Sequence, residues 1–437
     1  MVKRAVLSLL MLLVTITIVA QDDDPVTVID AYGNEVTIVD ASRIITIGGA
    51  VTETVYALGF GDSIVGVDES SIYPQEAFDL PQIGYLRFLF AEPILEAEPT
   101  LIITTEDAGP DEVVDILESA GITFLVVPAE DTVEGAIAKI RTIAQALDSV
   151  DLGESLIADL EADVATAEAL TTDLDTTPRV LFLFLRGQAV QGMAGLNTGA
   201  DEVLRLAGAE NAFAIADGYQ ALTAEAVITA QPDIIVTTSN GIDSIGGMEA
   251  LLALPGVADT PAAQNGRIIA SLDDLYLLGF TSRLGDAVLD FTYLLHEELP
   301  RTLPVAARLD GRFEVLLQAL DIAEYVTLLS GDDSYTVFAP SQETMDALPE
   351  GLLAGLFTSP ISVQAVIGSH ILEGNYSLGD LRGMDGEQIE TLFGTSVTVT
   401  VDGETVLIDG VSIIEADIMA SNGILHIIDG MFMPTRP

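Results

Sequence analysis

Tyr85-Leu86-Arg87 is the stretch of this chain best equipped for chemistry. A phenol ionises near pH ~10. A guanidinium two residues on can lower that value by its charge. A tyrosinate is one of the axial ligands that hold ferric haem. The same residues also read as a half-buried aromatic at the rim of a cleft, and by themselves they leave both readings open. Tyr219 is the counterpart in a second copy of the surrounding segment. It has no nearby Arg, so it reads as a contact rather than a ligand. Tyr276, in Leu275-Tyr276-Leu277-Leu278-Gly279-Phe280, sits in an apolar stretch suited to lining a flat hydrophobic ligand. Glu53 and Glu202 form another matched pair. Each stands six residues before a glycine (Gly59, Gly208), in the expected first turn of a helix after a Gly-rich loop. One such acid is explained by the helix dipole. Two, one per copy, can pair with two basic sites on a twofold-symmetric partner.

The segments that position these residues repeat. Residues 84–105 and 218–238 share a Gly-Tyr loop, an Ala-Glu helix start, a Pro break and a buried strand. Duplication of an α/β unit implies two similar lobes, with a ligand held in the cleft between them. Residues 26–38 alternate around Gly33-Asn34 and predict a hairpin. Strands are predicted at 43–47, 63–67, 101–104 and 123–127, with helices at 52–58 and 111–119, the alternation of a parallel sheet covered by helices. Periodic Ile137, Ile140, Ile143, Ala144 and Leu147 predict one long linking helix over about 131–170, with a break near Asp151–Gly153. The first lobe is placed at about 26–130 and the second at about 177–300, giving a two-lobed domain over 26–300. From Val305 to the end the repeat is gone and short strands and helices alternate, which reads as a separate α+β domain over 305–437.

Composition bounds the rest. The chain has 437 residues, 49% of them hydrophobic, ample for two or three cores. Residues 1–20 have a basic start (Lys3, Arg4) and an apolar run, the pattern of a signal peptide cut after Ala20. Ile18 at the minus-three position is atypical, so an uncleaved N-terminal anchor is the alternative. There is no cysteine, hence no disulfide, no thiolate metal site and no Cys-linked lipid anchor. Three histidines (His296, His370, His426) make a multi-His zinc site improbable, and no metal is expected other than iron carried in a ligand. His296 reads as a surface cap. The 68 acidic against 16 basic residues repel nucleic acid and anionic lipid. Ser369-His370 lacks a nucleophile elbow and Gly48-Gly49 lacks a phosphate-binding spacing, so the chain does not read as an enzyme.

Residues 26–298 resemble the substrate-binding proteins of ABC importers whose two lobes are joined by one long helix, and among them the haem-binding members. The resemblance is carried by Ile47-Gly48-Gly49-Ala50-Val51-Thr52-Glu53, Gly84-Tyr85-Leu86-Arg87, Thr198-Gly199-Ala200-Asp201-Glu202, Leu252-Ala253-Leu254-Pro255-Gly256 and Leu275–Phe280, in order along the domain. It implies that Tyr85 ligates haem iron, that Glu53 and Glu202 dock on arginines of a dimeric permease, and that Arg186 and Arg283 serve as propionate partners. Haem binders of this kind often carry an Arg where this chain has Asn240, and a Ser cap where it has Phe90. Residues 305–437 resemble a fasciclin domain through Tyr335–Pro340, Ser369–Gly374 and Asn422–Gly430. That implies an adhesive or matrix-contacting module, with His370 and His426 as core residues. Three readings follow: an exported periplasmic or cell-surface haem-capture protein feeding a permease, the same fold with a ferric siderophore or corrinoid as ligand, and a surface adhesion or sensory protein.

Overall fold

The computed structural model describes residues 25–349, 351, 355 and 359–433. The expected signal peptide lies outside the described residues. Among these, no helix is long and apolar enough to cross a membrane. The chain divides into two compact units, the first comprising residues 25–130 and 134–157, the second 131–133 and 158–433.

In the first unit, β-branched runs with no polar alternation make strands buried on both faces. These are β3 (Ile44–Ile47) and β7 (Leu101–Thr105), set between β4 (Ile64–Val67) and β8 (Thr123–Val127) in the parallel order β4-β3-β7-β8. The predicted hairpin is β1 (Val26–Ile29) with β2 (Glu35–Ile38). A second, very short hairpin pairs β5 (Gly84–Tyr85) with β6 (Phe88–Leu89). Helices α1 (Gly49–Ala57), α2 (Ala91–Glu96) and α3 (Asp111–Ser119) connect the strands.

The expected single helix over 131–170 is two helices, α4 (Val133–Ala146) and α5 (Val150–Thr172). The break falls at Leu147–Ser149, where Asp148 takes φ +50°, and not at Asp151–Gly153. Gly153 lies inside α5 for a packing reason. A Cβ there would sit 2.3 Å from the Ala144 Cβ on α4. Arg141 and Glu154 close the same corner with a bidentate ion pair. The residues of α5 up to Ile157 belong to the first unit and the rest to the second.

The second unit opens with β9 (Arg179–Arg186), buried along most of its length. Around it run β10 (Val190–Ala194), β11 (Glu210–Asn211), β12 (Tyr219–Ala221), β13 (Ile234–Val236) and β14 (Ile268–Ile269), in the order β12-β10-β9-β13-β14 with β11 beside β9. The β9, β11, β13 and β14 pairings are parallel, while β10 and β12 run antiparallel. The helices are α6 (Gly199–Leu206), α7 (Ala224–Ala230), α8 (Ser239–Ile245), α9 (Met248–Leu252), α10 (Pro261–Gln264), α11 (Asp274–Leu278) and α12 (Leu284–Leu295). Thr198, Thr223, Thr238, Thr260 and Asp273 cap five of them with side-chain oxygens.

The C-terminal part of this unit begins with α13 (Leu303–Asp310), whose Leu303 and Ala307 enter its core. It is built on a seven-stranded sheet in which Tyr335–Pro340 lies parallel to Gly423–Ile428 and the other pairings are antiparallel. A bridge between Leu372 and Thr391 links its first and last strands.

Candidate functional site

Tyr85 occupies the last position of β5, 38% exposed, with its ring stacked on Phe88 at 6.4 Å between centroids. Phe88 and Phe90 beside it are more exposed still, so this hairpin offers three aromatic side chains to its surroundings. Gly84 is required for the turn. Its φ is +103°, and a Cβ would approach the Phe88 carbonyl oxygen to 2.7 Å. The neighbouring backbone is held from below by Asp68, a fully buried carboxylate. It accepts from the Leu86 N–H (3.1 Å), the Gly48 N–H (2.8 Å), the Ser70 N–H and hydroxyl (3.1 and 2.7 Å) and the Ser71 hydroxyl (3.0 Å). One side chain thus ties the loop before α1 to the residue after Tyr85. Arg87 pairs with Asp107 at 2.8 Å, both exposed, so the charge expected to act on Tyr85 is shared with a carboxylate.

In the second unit Tyr219 lies on the edge strand β12, its ring 5.1 Å from that of Phe184. By residue area 45% of Tyr219 is exposed. Its pKa is pushed up to about 12, by burial first and the Asp131 carboxylate second. It is a neutral phenol near neutral pH. Arg186 stacks on Phe184 at 4.5 Å and pairs with Asp274 at 3.1 Å. Asp274 also accepts from Thr238 at 2.5 Å. Arg283 lies 4.8 Å over the ring of Tyr276. The Tyr276 hydroxyl is not directed to a ligand. It donates to Asp290 at 2.7 Å, and burial with the nearby acids raises its pKa. Asn240 is exposed on α8.

The two glutamates are not equivalent. Glu53 is the fifth residue of α1, past the first turn, and is 2% exposed. Glu202 does sit in the first turn of α6, where Arg205 holds it at 2.6 and 2.8 Å. The expected symmetric pair of exposed acids is therefore corrected: one is buried and the other is matched by its own helix. His296 is also corrected. It is buried, with Nε2 2.9 Å from the Ala207 carbonyl, and is no surface cap.

His370 and His426 are core residues. His370 donates from Nδ1 to the Val366 carbonyl and accepts the Phe432 N–H at Nε2, a neutral tautomer, and burial pushes its pKa down to about 4. His426 stacks on Phe338 at 5.5 Å and accepts the Asp417 N–H at Nδ1.

Sequence reasoning missed Asp68, Phe88 and Arg308. The last, on α13, pairs through Nε with Asp290. Asp68 is one acid among many. Phe88 had a signal, since it follows Tyr85 by three residues within a Gly-led turn.

Over 59% of this chain and 99% of its own, the structure of the periplasmic haem-binding protein RhuT from Roseiflexus sp. RS-1, in apo form, is 42% identical, with a TM-score of 0.57. A vitamin B12-binding protein of Vibrio campbellii is 28% identical over 47% of this chain and 74% of its own length. The C-terminal part is 32% identical, over 29% of this chain, to transforming growth factor-beta-induced protein ig-h3 of Sus scrofa, covering 18% of that protein. The fasciclin domain family matches residues 311–434. The periplasmic binding protein family matches residues 44–275, more than half of the chain; the chain belongs to that family of substrate-binding proteins and carries a fasciclin domain behind it.

Proposed function

We propose that this protein is the exported, extracytoplasmic substrate-binding component of an ABC importer, that its ligand is haem, and that Tyr85 is the axial ligand of the iron. The observation that carries this reading is a solvent-facing tyrosine among exposed aromatics on a short hairpin braced by Asp68, in a chain that over 59% of its length is 42% identical to a haem-binding protein. Aromatic faces suit a flat macrocycle, and a phenolate is a hard ligand suited to ferric iron. Tyr219, Tyr276, Arg186 and Arg283 then serve as contacts from the second lobe, the arginines toward propionates. Delivery to a permease dimer falls to Glu202, in the first turn of α6. The fasciclin domain contacts a matrix or surface protein.

A second reading, a corrinoid in place of haem, draws on the relatives named as vitamin B12-binding. The test is a titration of the purified protein with ferric haem and, separately, with cyanocobalamin. Haem gives a high-spin tyrosinate-type spectrum that Tyr85→Phe abolishes. Binding of cyanocobalamin alone, or an unchanged spectrum in the variant, overturns the haem assignment.

A further inference from the structure

The passage from the second lobe to the fasciclin domain is not a free tether. The periplasmic binding protein match ends at residue 275 and the fasciclin match begins at 311, and the residues between are occupied with one another. Arg301 donates from its guanidinium to the Tyr293 carbonyl on α12 (2.8 Å), while its own carbonyl accepts the Ser421 N–H (2.7 Å) from the fasciclin sheet. Asn422 accepts the Leu303 N–H (2.9 Å) and donates to the carbonyls of Leu329 and Gly331. Arg308, on α13, reaches across to α12. Its Nε binds Asp290 and its Nη1 stands 3.8 Å from Asp286. Asp290 is buried, and its second oxygen accepts the Tyr276 hydroxyl. Arg283 lies over the face of that ring. Beneath them α5 packs against α12 closely enough that a Cβ on Gly285 would meet Leu160 and Asp163 at 2.9 Å.

A carboxylate buried this deeply is tolerable only when paired. Asp290 is therefore built for a cation, and the cation comes from the fasciclin side of the junction. We propose that Arg308 locks the fasciclin domain onto the second lobe as one body and, through Asp290, is a positioning residue for Tyr276 and Arg283. The second half of this statement rests on the ligand reading above. The first half does not.

Both halves are tested on the full chain with Arg308→Met, Arg308→Lys and Tyr276→Phe. Hydrogen exchange at 299–304 reports the lock, and haem titration followed by absorption reports the positioning. Arg308→Met speeds exchange at 299–304 by about tenfold or more and weakens haem binding severalfold, while the Tyr85-type spectrum persists. Arg308→Lys restores part of both. Tyr276→Phe weakens haem binding without changing exchange. Should Arg308→Met fail to fold, Asp290→Asn with Arg308 in place serves the same comparison. Unchanged exchange overturns the lock, and faster exchange with unchanged haem affinity overturns the positioning role. Wild-type protein that binds no haem at all overturns the ligand reading and leaves the exchange arm standing as the test of the lock.

Discussion

The two copies of the repeat run through the same elements and put their tyrosines to different uses. In the first, Gly84-Tyr85 begins a two-stranded hairpin outside the main sheet, then α2 and β7 follow. In the second, Tyr219 is stitched into the edge of the main sheet opposite Ala194, then α7 and β13 follow. Tyr85 stands among exposed Phe88 and Phe90, and Tyr219 sets its ring 5.1 Å from that of Phe184. The difference lies in what holds the backbone. A hairpin fixed by the Asp68 carboxylate stands apart from the main sheet and groups its Tyr with two other exposed aromatics, whereas the strand in the sheet sets its Tyr against Phe184. The two segments are similar frames, and their local attachments set their tyrosines in different surroundings.

The largest test of that contrast replaces each phenol. Tyr85→Phe is expected to weaken ferric haem binding roughly a thousandfold, ~4 kcal/mol, and to remove the tyrosinate-type spectrum. Tyr219→Phe is expected to cost no more than about tenfold and to leave the spectrum intact. Titrations of both variants decide it, and equal losses would erase the distinction between the copies.

Next in size is the brace. Asp68→Asn keeps the shape but puts an NH2 where one oxygen stood, facing either the donors of Gly48 and Ser71 or those of Ser70 and Leu86. The expected loss is about 2–3 kcal/mol of stability in urea unfolding. Haem bound to the variant is expected to show a weakened tyrosinate band, because the residue after Tyr85 has lost its anchor. A loss under ~0.5 kcal/mol would remove Asp68 from the account.

Much of the frame was legible from residue pattern. Ile44–Ile47 and Leu101–Thr104 read as buried strands, and they are β3 and most of β7. The misreadings have physical causes. Gly153 looks like a helix breaker, yet it serves close packing against Ala144, which depends on a neighbour that the local pattern does not name. The partner of Arg186 is Asp274, far along the chain, so its pairing is invisible to spacing. Glu53 and Glu202 match in sequence position but not in burial, because the bodies of α1 and α6 are covered differently. Asp68 is lost among 68 acids until its five hydrogen bonds are seen.

A pH series sharpens a second contrast, within the second unit. His370 has its folded pKa lowered to about 4 by burial, so its contribution to stability is present above the unfolded value and is lost as pH falls toward 4. Between pH 7.5 and 5 the expected loss is about 2 kcal/mol. Asp163 has the opposite sign. Burial and Asp286 raise its folded pKa to about 6, with Asp159 and Asp290 adding and Arg308 opposing. Its stabilising, protonated form is complete below the unfolded value and is lost as pH rises through 6. Over the same interval it returns about 1 kcal/mol after allowance for solvent screening. Thermal unfolding from pH 7.5 to 5 is expected to show a shallower acid decline in wild type than in Asp163→Asn, and a stability that rises toward pH 5 in His370→Gln. Identical slopes in all three would show that neither group titrates as its surroundings dictate.

The smallest effect asks why the first copy lacks a helix cap. Thr223 caps α7 by accepting the Ala226 N–H at 3.3 Å, whereas Phe90, at the same place before α2, offers no side-chain acceptor. Thr223→Ala is expected to cost about 1 kcal/mol, and Phe90→Ser to gain about 0.5 kcal/mol by supplying the missing oxygen. The Phe90 ring lies over Gly84, within 2.9 Å of where a Cβ would be, and is largely exposed. An exposed phenylalanine in place of a stabilising serine makes sense if the ring meets the ligand. Phe90→Ser is therefore expected to melt slightly higher and to bind haem severalfold more weakly. A variant that gains stability with no change in haem affinity would mean that the ring has no part in binding, and the aromatic face of the first copy would then reduce to Tyr85 and Phe88.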